Sequence, residues 1–173
     1  NGVPHNNWDL LQARYIMNVG LVLEDNKEYA DGKGREYYID YVLNRSGIRQ
    51  WSLTRLADYG FDAETGIWAE CPGYSSVVIN DYANFANQFD NNLHYDLVKA
   101  MPVLSKAVAA TPQYLFPNRM ICGFGDTHPG YLNTNFFIRM IQNAQANGKK
   151  EQEDYFTALL KCLNPETDAD KGE

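Results

Sequence analysis

Tyr74 stands in the stretch GIWAECPGYSSVV, Gly66 to Val78, which sets an aromatic (Trp68), a carboxylate (Glu70) and a phenol around a Pro-Gly turn. A free phenol titrates at about 10, so it abstracts a proton near neutral pH only when a neighbouring cation or hydrogen-bond donor favours the phenolate. A charged Glu70 close by opposes that; its alternative use is to tie the loop down by accepting backbone N–H groups. Trp68 reads as buried. Pro72 and Gly73 cannot continue a helix from upstream, so Tyr74 is predicted to open the amphipathic helix marked by Val78, Tyr82, Phe85, Ala86 and Phe89.

A second stretch with possible chemistry is CGFGDTHPG, Cys122 to Gly130. Asp126 and His128 lie two apart on a Gly-flanked loop, and His is the usual proton relay near neutral pH. His128 reads equally as a residue that only hydrogen-bonds the backbone. Without the Lys of a P-loop or the full GxGxxG spacing, the stretch does not read as a phosphate cradle. A third stretch is Pro4-His5-Asn6-Asn7-Trp8-Asp9. Asn6 or Asn7 caps the first helix, or, beside His5 and Trp8, offers a neutral amide donor to a carboxylate. Trp8 is either a stacking platform or core, and core is the simpler reading. His94 is read as beginning a helix beside Asn91 and Asn92, with no role.

The elements that hold these residues read as helices throughout. Trp8 to Glu24 is apolar on nearly every side and predicts a helix buried on most of its surface. Tyr37, Tyr38, Tyr41 and Val42 mark a short second helix stopped at Ser46-Gly47. Ile48 to Tyr59 predicts a third, closed by Gly60, and Phe61 to Gly73 an irregular loop. Leu97, Met101, Leu104 and Val108 mark a helix that Pro102 kinks or splits. Tyr114 to Tyr131 reads as a long ordered loop, Thr134–Ala146 and Glu151–Leu163 as two closing helices parted by Asn147-Gly148, and Pro165–Glu173 as a frayed tail. No run alternates with period two over a useful length, so the fold class is all-α, a bundle or a partial (α/α) toroid of antiparallel helix pairs, read as one helical domain over 1–173. No fixed-period repeat supports a regular solenoid.

The 173 residues are enough for a sizeable core. A net charge of −7, with 15 basic residues scattered among 22 acidic ones, argues against nucleic acid or an anionic membrane as main partner. An anionic substrate would need local donors. No apolar run reaches the length of a membrane span, and no signal peptide is evident. The chain begins with Asn1, which suggests a mature, trimmed or excised piece. Cys71, Cys122 and Cys162 lack CxxC spacing and paired His, so no zinc site is expected and buried free thiols are.

Together the Asn-rich start followed by WDLLQ, the GIWAECPGYSSVV stretch and the FGD loop resemble the helical domain of the heparinase II/III-like and alginate lyase group of polysaccharide lyases, over about Asn6 to Leu163. The resemblance implies an incomplete α/α toroid followed by β-sandwich domains that lie outside this chain, and cleavage of uronic-acid polysaccharides by β-elimination without a cofactor. It implies that Asn7 or its neighbour Asn6 neutralises the uronate carboxylate, with Asn6, His5, Trp8 and Glu70 as substrate contacts, that Tyr74 removes the C5 proton, and that a Tyr or His protonates the leaving oxygen, His128 being the candidate by its position on the loop. It departs from the group in placing Trp8 after Asn7, where members often carry His. A periplasmic or secreted location follows, because polymers do not cross membranes. Two other classes stay open. One is a toroid glycoside hydrolase using Glu70 with Asp126 or Asp62; the other is a non-catalytic module that stacks Trp and Tyr on sugar rings.

Overall fold

The computed structural model describes residues 7–164, and the fold is all-α; His5, Asn6 and the predicted tail lie outside the described residues. Among the described residues the only β pairing is in isolated bridges. The chain divides into two compact units, 1–63 and 64–173.

The first unit contains α1 (Asn7–Val22), α2 (Arg35–Asn44) and α3 (Leu53–Gly60). α1 buries Leu10, Ala13, Met17 and Gly20, a single face at spacings of three and four. Gly20 lets α2 come close: a Cβ there would sit 3.2 Å from both Ile39 Cδ1 and Tyr38 Cβ. The other apolar residues of α1 are not buried as the sequence predicts. Trp8, Tyr15, Val19 and Val22 are 54%, 62%, 46% and 81% exposed, so Trp8 is not core. Hydropathy alone cannot tell which of two apolar faces is covered. Buried Asp9 fastens the connection after α2, accepting from the Trp51 amide at 3.0 Å, while Gln50 donates to its carbonyl at 3.2 Å.

Two predicted boundaries in this unit shift. α2 stops at Asn44, three residues before Gly47, whose amide instead closes a turn onto the Gln50 carbonyl at 2.7 Å. α3 starts at Leu53 rather than Ile48, because Ser52 caps it by accepting from the Arg55 amide at 3.2 Å.

The second unit is built on α4 (Pro72–Leu93), which buries Val78, Tyr82, Phe85, Ala86 and Phe89 as their spacing predicts. α5 (Leu97–Ala100) and α6 (Val103–Ala110) are the two pieces into which Pro102 splits the next segment. α7 (Asn135–Ala146) packs on α4 and α6, and α8 (Lys150–Leu163) packs on α7 after a break at Asn147-Gly148, with Gly148 at φ +65°. Phe85, Phe89, Phe136, Phe137 and Phe156 are at most 1% exposed. Each buried aromatic of this kind contributes about 1.5–3 kcal/mol relative to leaving it exposed.

A polar clasp joins the ends of three helices. Asn143 of α7 donates to Asp90 of α4 at 2.5 Å, Asn147 donates to the other Asp90 oxygen at 2.9 Å, and Lys149 pairs with Asp96, the α5 cap, at 2.5 Å. Burial pushes the Asp96 carboxyl up, but Lys149, the Lys99 amide and Asn143 together outweigh it and hold the group below its ordinary 3.8. A depressed folded-state value means that the stabilisation is fully present above 3.8 and is lost as pH falls through the folded-state value. Asp96→Asn should therefore lower stability at neutral pH and flatten its decline in acid, as read by denaturant unfolding at neutral and acid pH; an unchanged acid slope would exclude Asp96 as a contributor. His94 ends α4 rather than beginning a helix: it is the C-cap, at φ 50° and ψ 40°.

Candidate active site

α4 does not begin at Tyr74. Pro72 takes the first helical position, where its missing N–H costs nothing, so Gly73 and Tyr74 complete the first turn behind the Cys71 cap. Tyr74 is 38% exposed and looks out of that turn into a cleft of about 610 Å³. The cleft is lined by Tyr74, Val77, Asp126, Thr127 and His128 together with Gly73 and Gly125. The structure thus brings together Tyr74 and His128, 54 positions apart in the chain.

What joins them is Thr127, which sequence reasoning passed over. Its side-chain oxygen accepts the Gly73 amide at 2.9 Å, satisfying an N–H of the first turn that has no partner within the helix. Thr127 is buried while its neighbours Asp126 and His128 are exposed, so the threonine anchors and the two polar residues face the cleft. Glycine eases the close approach on both sides of this seam. A Cβ on Gly73 would meet Thr127 Oγ1 at 3.3 Å, and one on Gly125, at φ +59°, would meet Cys71 Cβ at 3.2 Å. Burial raises the Cys71 thiol, but the Thr127 hydroxyl and the backbone N–H groups of Tyr74, Asp126 and Gly73 outweigh it, leaving the thiol below its ordinary 9.0. The three cysteines are free as expected, yet Cys71 and Cys122 are only half-buried and Cys162 is exposed.

The far side of the same loop is held by short-range pairing. The Cys122 amide donates to the Tyr114 carbonyl at 2.6 Å and the Ile121 amide to the Gly130 carbonyl at 2.8 Å, with bridges Leu115–Ile121 and Met120–Tyr131. Tyr114 to Tyr131 is therefore an ordered loop, as its composition predicts.

Glu70 does something other than predicted. Its carboxylate accepts the indole N–H of Trp68 at 2.6 Å, so it orients a buried ring (Trp68 is 2% exposed) rather than gathering backbone N–H groups. Among the described residues it does not line the cleft. Of the carboxylates considered for a paired-acid mechanism, Asp126 alone lines it, while Asp62 belongs to the first unit. Asn7, half-buried, is the first residue of α1, and Trp8 follows it in the same unit.

The Thr127 bond carries an expected result. Thr127→Val keeps the shape but removes the acceptor, and should lower turnover roughly tenfold by letting the loop drift from Tyr74. Thr127→Ser should restore it; equal rates for Val and Ser would mean that the hydroxyl positions nothing.

A helical domain with a phenol and an imidazole facing one open cleft is consistent with a sugar-cleaving domain. Residues 64–171 match the family described as the endo-acting ulvan lyase 2nd domain, a match that starts where the second compact unit starts. The chain belongs to this family, and the domain is that of a polysaccharide lyase. No curated protein and no solved structure matches the chain.

Proposed function

We propose that this chain supplies the proton-transfer centre of a lyase that cleaves a uronic-acid polysaccharide of the ulvan kind by β-elimination, with Tyr74 as base. The observation that supports this most directly is the shared cleft of Tyr74 and His128, inside the segment that matches the lyase family. The C5 hydrogen of a uronate is only weakly acidic while its carboxylate is charged, so a donor must first stabilise the enolate-like charge that develops. Asn7 keeps that proposed role on the resemblance alone, as do Asn6, His5 and Trp8 as substrate contacts.

In the elimination, Tyr74 takes the C5 proton, the C4–O bond breaks, the electron pair of the C–H bond becomes the C4–C5 double bond, and His128 or the newly protonated Tyr74 returns a proton to the departing oxygen. Charge and atoms balance without an oxidant or cofactor. The open cleft suits a polymer lying across it. A parent with further β-sandwich domains, a toroid architecture and a periplasmic or secreted location belong to the same proposal. Glu70 is reassigned within it from a substrate contact to the residue that holds Trp68.

The test is the product. Incubating the enzyme that carries this chain with ulvan should raise the ultraviolet absorbance of an unsaturated uronate in step with new chain ends. New ends without absorbance would sink the elimination and return the hydrolytic reading.

A further inference from the structure

A second hollow in the 64–173 unit is not used by the chemistry above. It encloses about 330 Å³ and is lined by Leu115, Arg119, Tyr131, Leu132, Leu163 and Asn164, among others. That is the small end of the range of about 300–1,000 Å³ for ligand sites, and suits one ring rather than a length of chain.

Three features of its lining point to a ligand. The first is charge. The unit has two arginines: Arg139 donates to the Asn80 side chain at 3.0 Å and to its carbonyl at 3.2 Å, whereas the guanidinium of Arg119 has no hydrogen bond or ion pair among the described residues. Arg119 is exposed, so its charge is open to a ligand arriving from solvent.

The second is backbone. Arg119 sits at φ +66°, a region that costs most side chains about 1 kcal/mol and that Gly or Asn occupies more cheaply. The turn around it is over-determined: its amide donates to the Phe116 carbonyl at 2.8 Å, the Phe116 amide to the Met120 carbonyl at 2.9 Å, and the Met120 amide to Asn118 Oδ1 at 3.1 Å. The turn presents an arginine where a glycine would fold more easily.

The third is Tyr131. It is 78% exposed, yet its backbone is pinned by the bridge to Met120, next to Arg119 in the chain. Leu115, Leu132 and Leu163 provide an apolar floor, and Asn164 donates to Thr134 at 3.0 Å on the rim.

The geometry points to a second carbohydrate subsite that takes one sugar ring bearing an oxyanion, carboxylate or sulfate ester. Arg119 supplies the planar donor fork and Tyr131 the stacking face. This rests on the polysaccharide reading above and extends it: the loop from Tyr114 to Tyr131 carries the reacting cleft through Asp126 and His128 and a separate anchoring point through Arg119.

The experiment is calorimetric titration of ulvan oligosaccharides into the Tyr74→Phe enzyme, with and without Arg119→Gly. Glycine suits the positive φ, so the melting temperature should not fall and lost affinity cannot be put down to unfolding. Arg119→Gly is expected to weaken binding roughly tenfold to a hundredfold, and Arg119→Lys to recover part of the loss. Oligosaccharides with carboxylates reduced, or sulfate esters removed, identify the source: the preparation that no longer distinguishes arginine from glycine has lost the oxyanion Arg119 holds. Affinity unchanged by Arg119→Gly overturns the subsite while ulvan cleavage by the parent keeps the lyase reading. If ulvan is neither bound nor cleaved, both fall.

Discussion

Tyr74→Phe is expected to reduce β-elimination by roughly 10²- to 10⁴-fold, the usual worth of a positioned proton acceptor, with little change in oligosaccharide affinity. The substitution removes one oxygen from a side chain that is 38% exposed and faces a cleft, so no packing is lost with it. Stability should stay within about 0.5 kcal/mol of the parent. The combination separates three readings. A lyase with Tyr74 as base loses turnover and keeps binding. A hydrolase whose acids lie elsewhere keeps most of its turnover. A module that only stacks on sugar rings has no turnover to lose. Full elimination activity in the phenylalanine variant would remove Tyr74 from the chemistry and leave His128 and Asp126 as the proton carriers that line the cleft.

The largest expected effect on stability comes from a glycine outside the cleft. Gly66→Ala should cost at least about 3 kcal/mol, from two additive causes. Gly66 lies at φ +76°, and a Cβ there would meet the α6 backbone, 2.4 Å from the Ala107 nitrogen and 2.5 Å from the Lys106 carbonyl carbon. Backbone cannot turn aside as a side chain does, so the loop before α4 or the helix itself must shift. Against a typical domain stability of about 5–15 kcal/mol this is a large fraction. Gly148→Ala is the matched control: its φ is +65° with no atom within 4 Å of the added carbon, and it should cost only about 1 kcal/mol. Denaturant unfolding followed by helical circular dichroism measures both, and equal losses would mean that the contact with α6 is not rigid.

The helices of the second unit were legible because their apolar spacing is unambiguous: Val78, Tyr82, Phe85, Ala86 and Phe89 leave one reading, and Pro102 and Asn147-Gly148 mark breaks that the structure keeps. α1 was misjudged for a physical reason. Apolar residues on two faces look alike in sequence, and only packing decides that Leu10, Ala13 and Met17 go inside while Trp8, Tyr15 and Val19 stay out. The start of α3 was available in Ser52, a good cap that Ile48 and its neighbours distracted from.

In the site, Tyr74 and His128 stood out by residue type and by the Pro and Gly around them. Thr127 did not, since nothing local marks a hydroxyl whose partner lies 54 positions away. The Trp68–Glu70 bond, two residues apart, left only the weak signal of a donor near an acceptor. Arg119 carries no local signal in the sequence, since what sets it apart is a dihedral angle.

The bond from Gly73 to Thr127 has a meaning in chain entropy. Bringing together two positions 54 residues apart costs about 3.5 kcal/mol by the logarithmic closure law alone, and a neutral hydrogen bond returns about 1. The bond therefore cannot assemble the cleft. It only sets the final register of a loop whose flanking helices, α6 and α7, are already packed on α4, with Phe136 and Phe137 fully buried. The geometry of the cleft is drawn from distant aromatic packing, and a methyl group lost at the α4–α7 seam can reach the phenol without touching it.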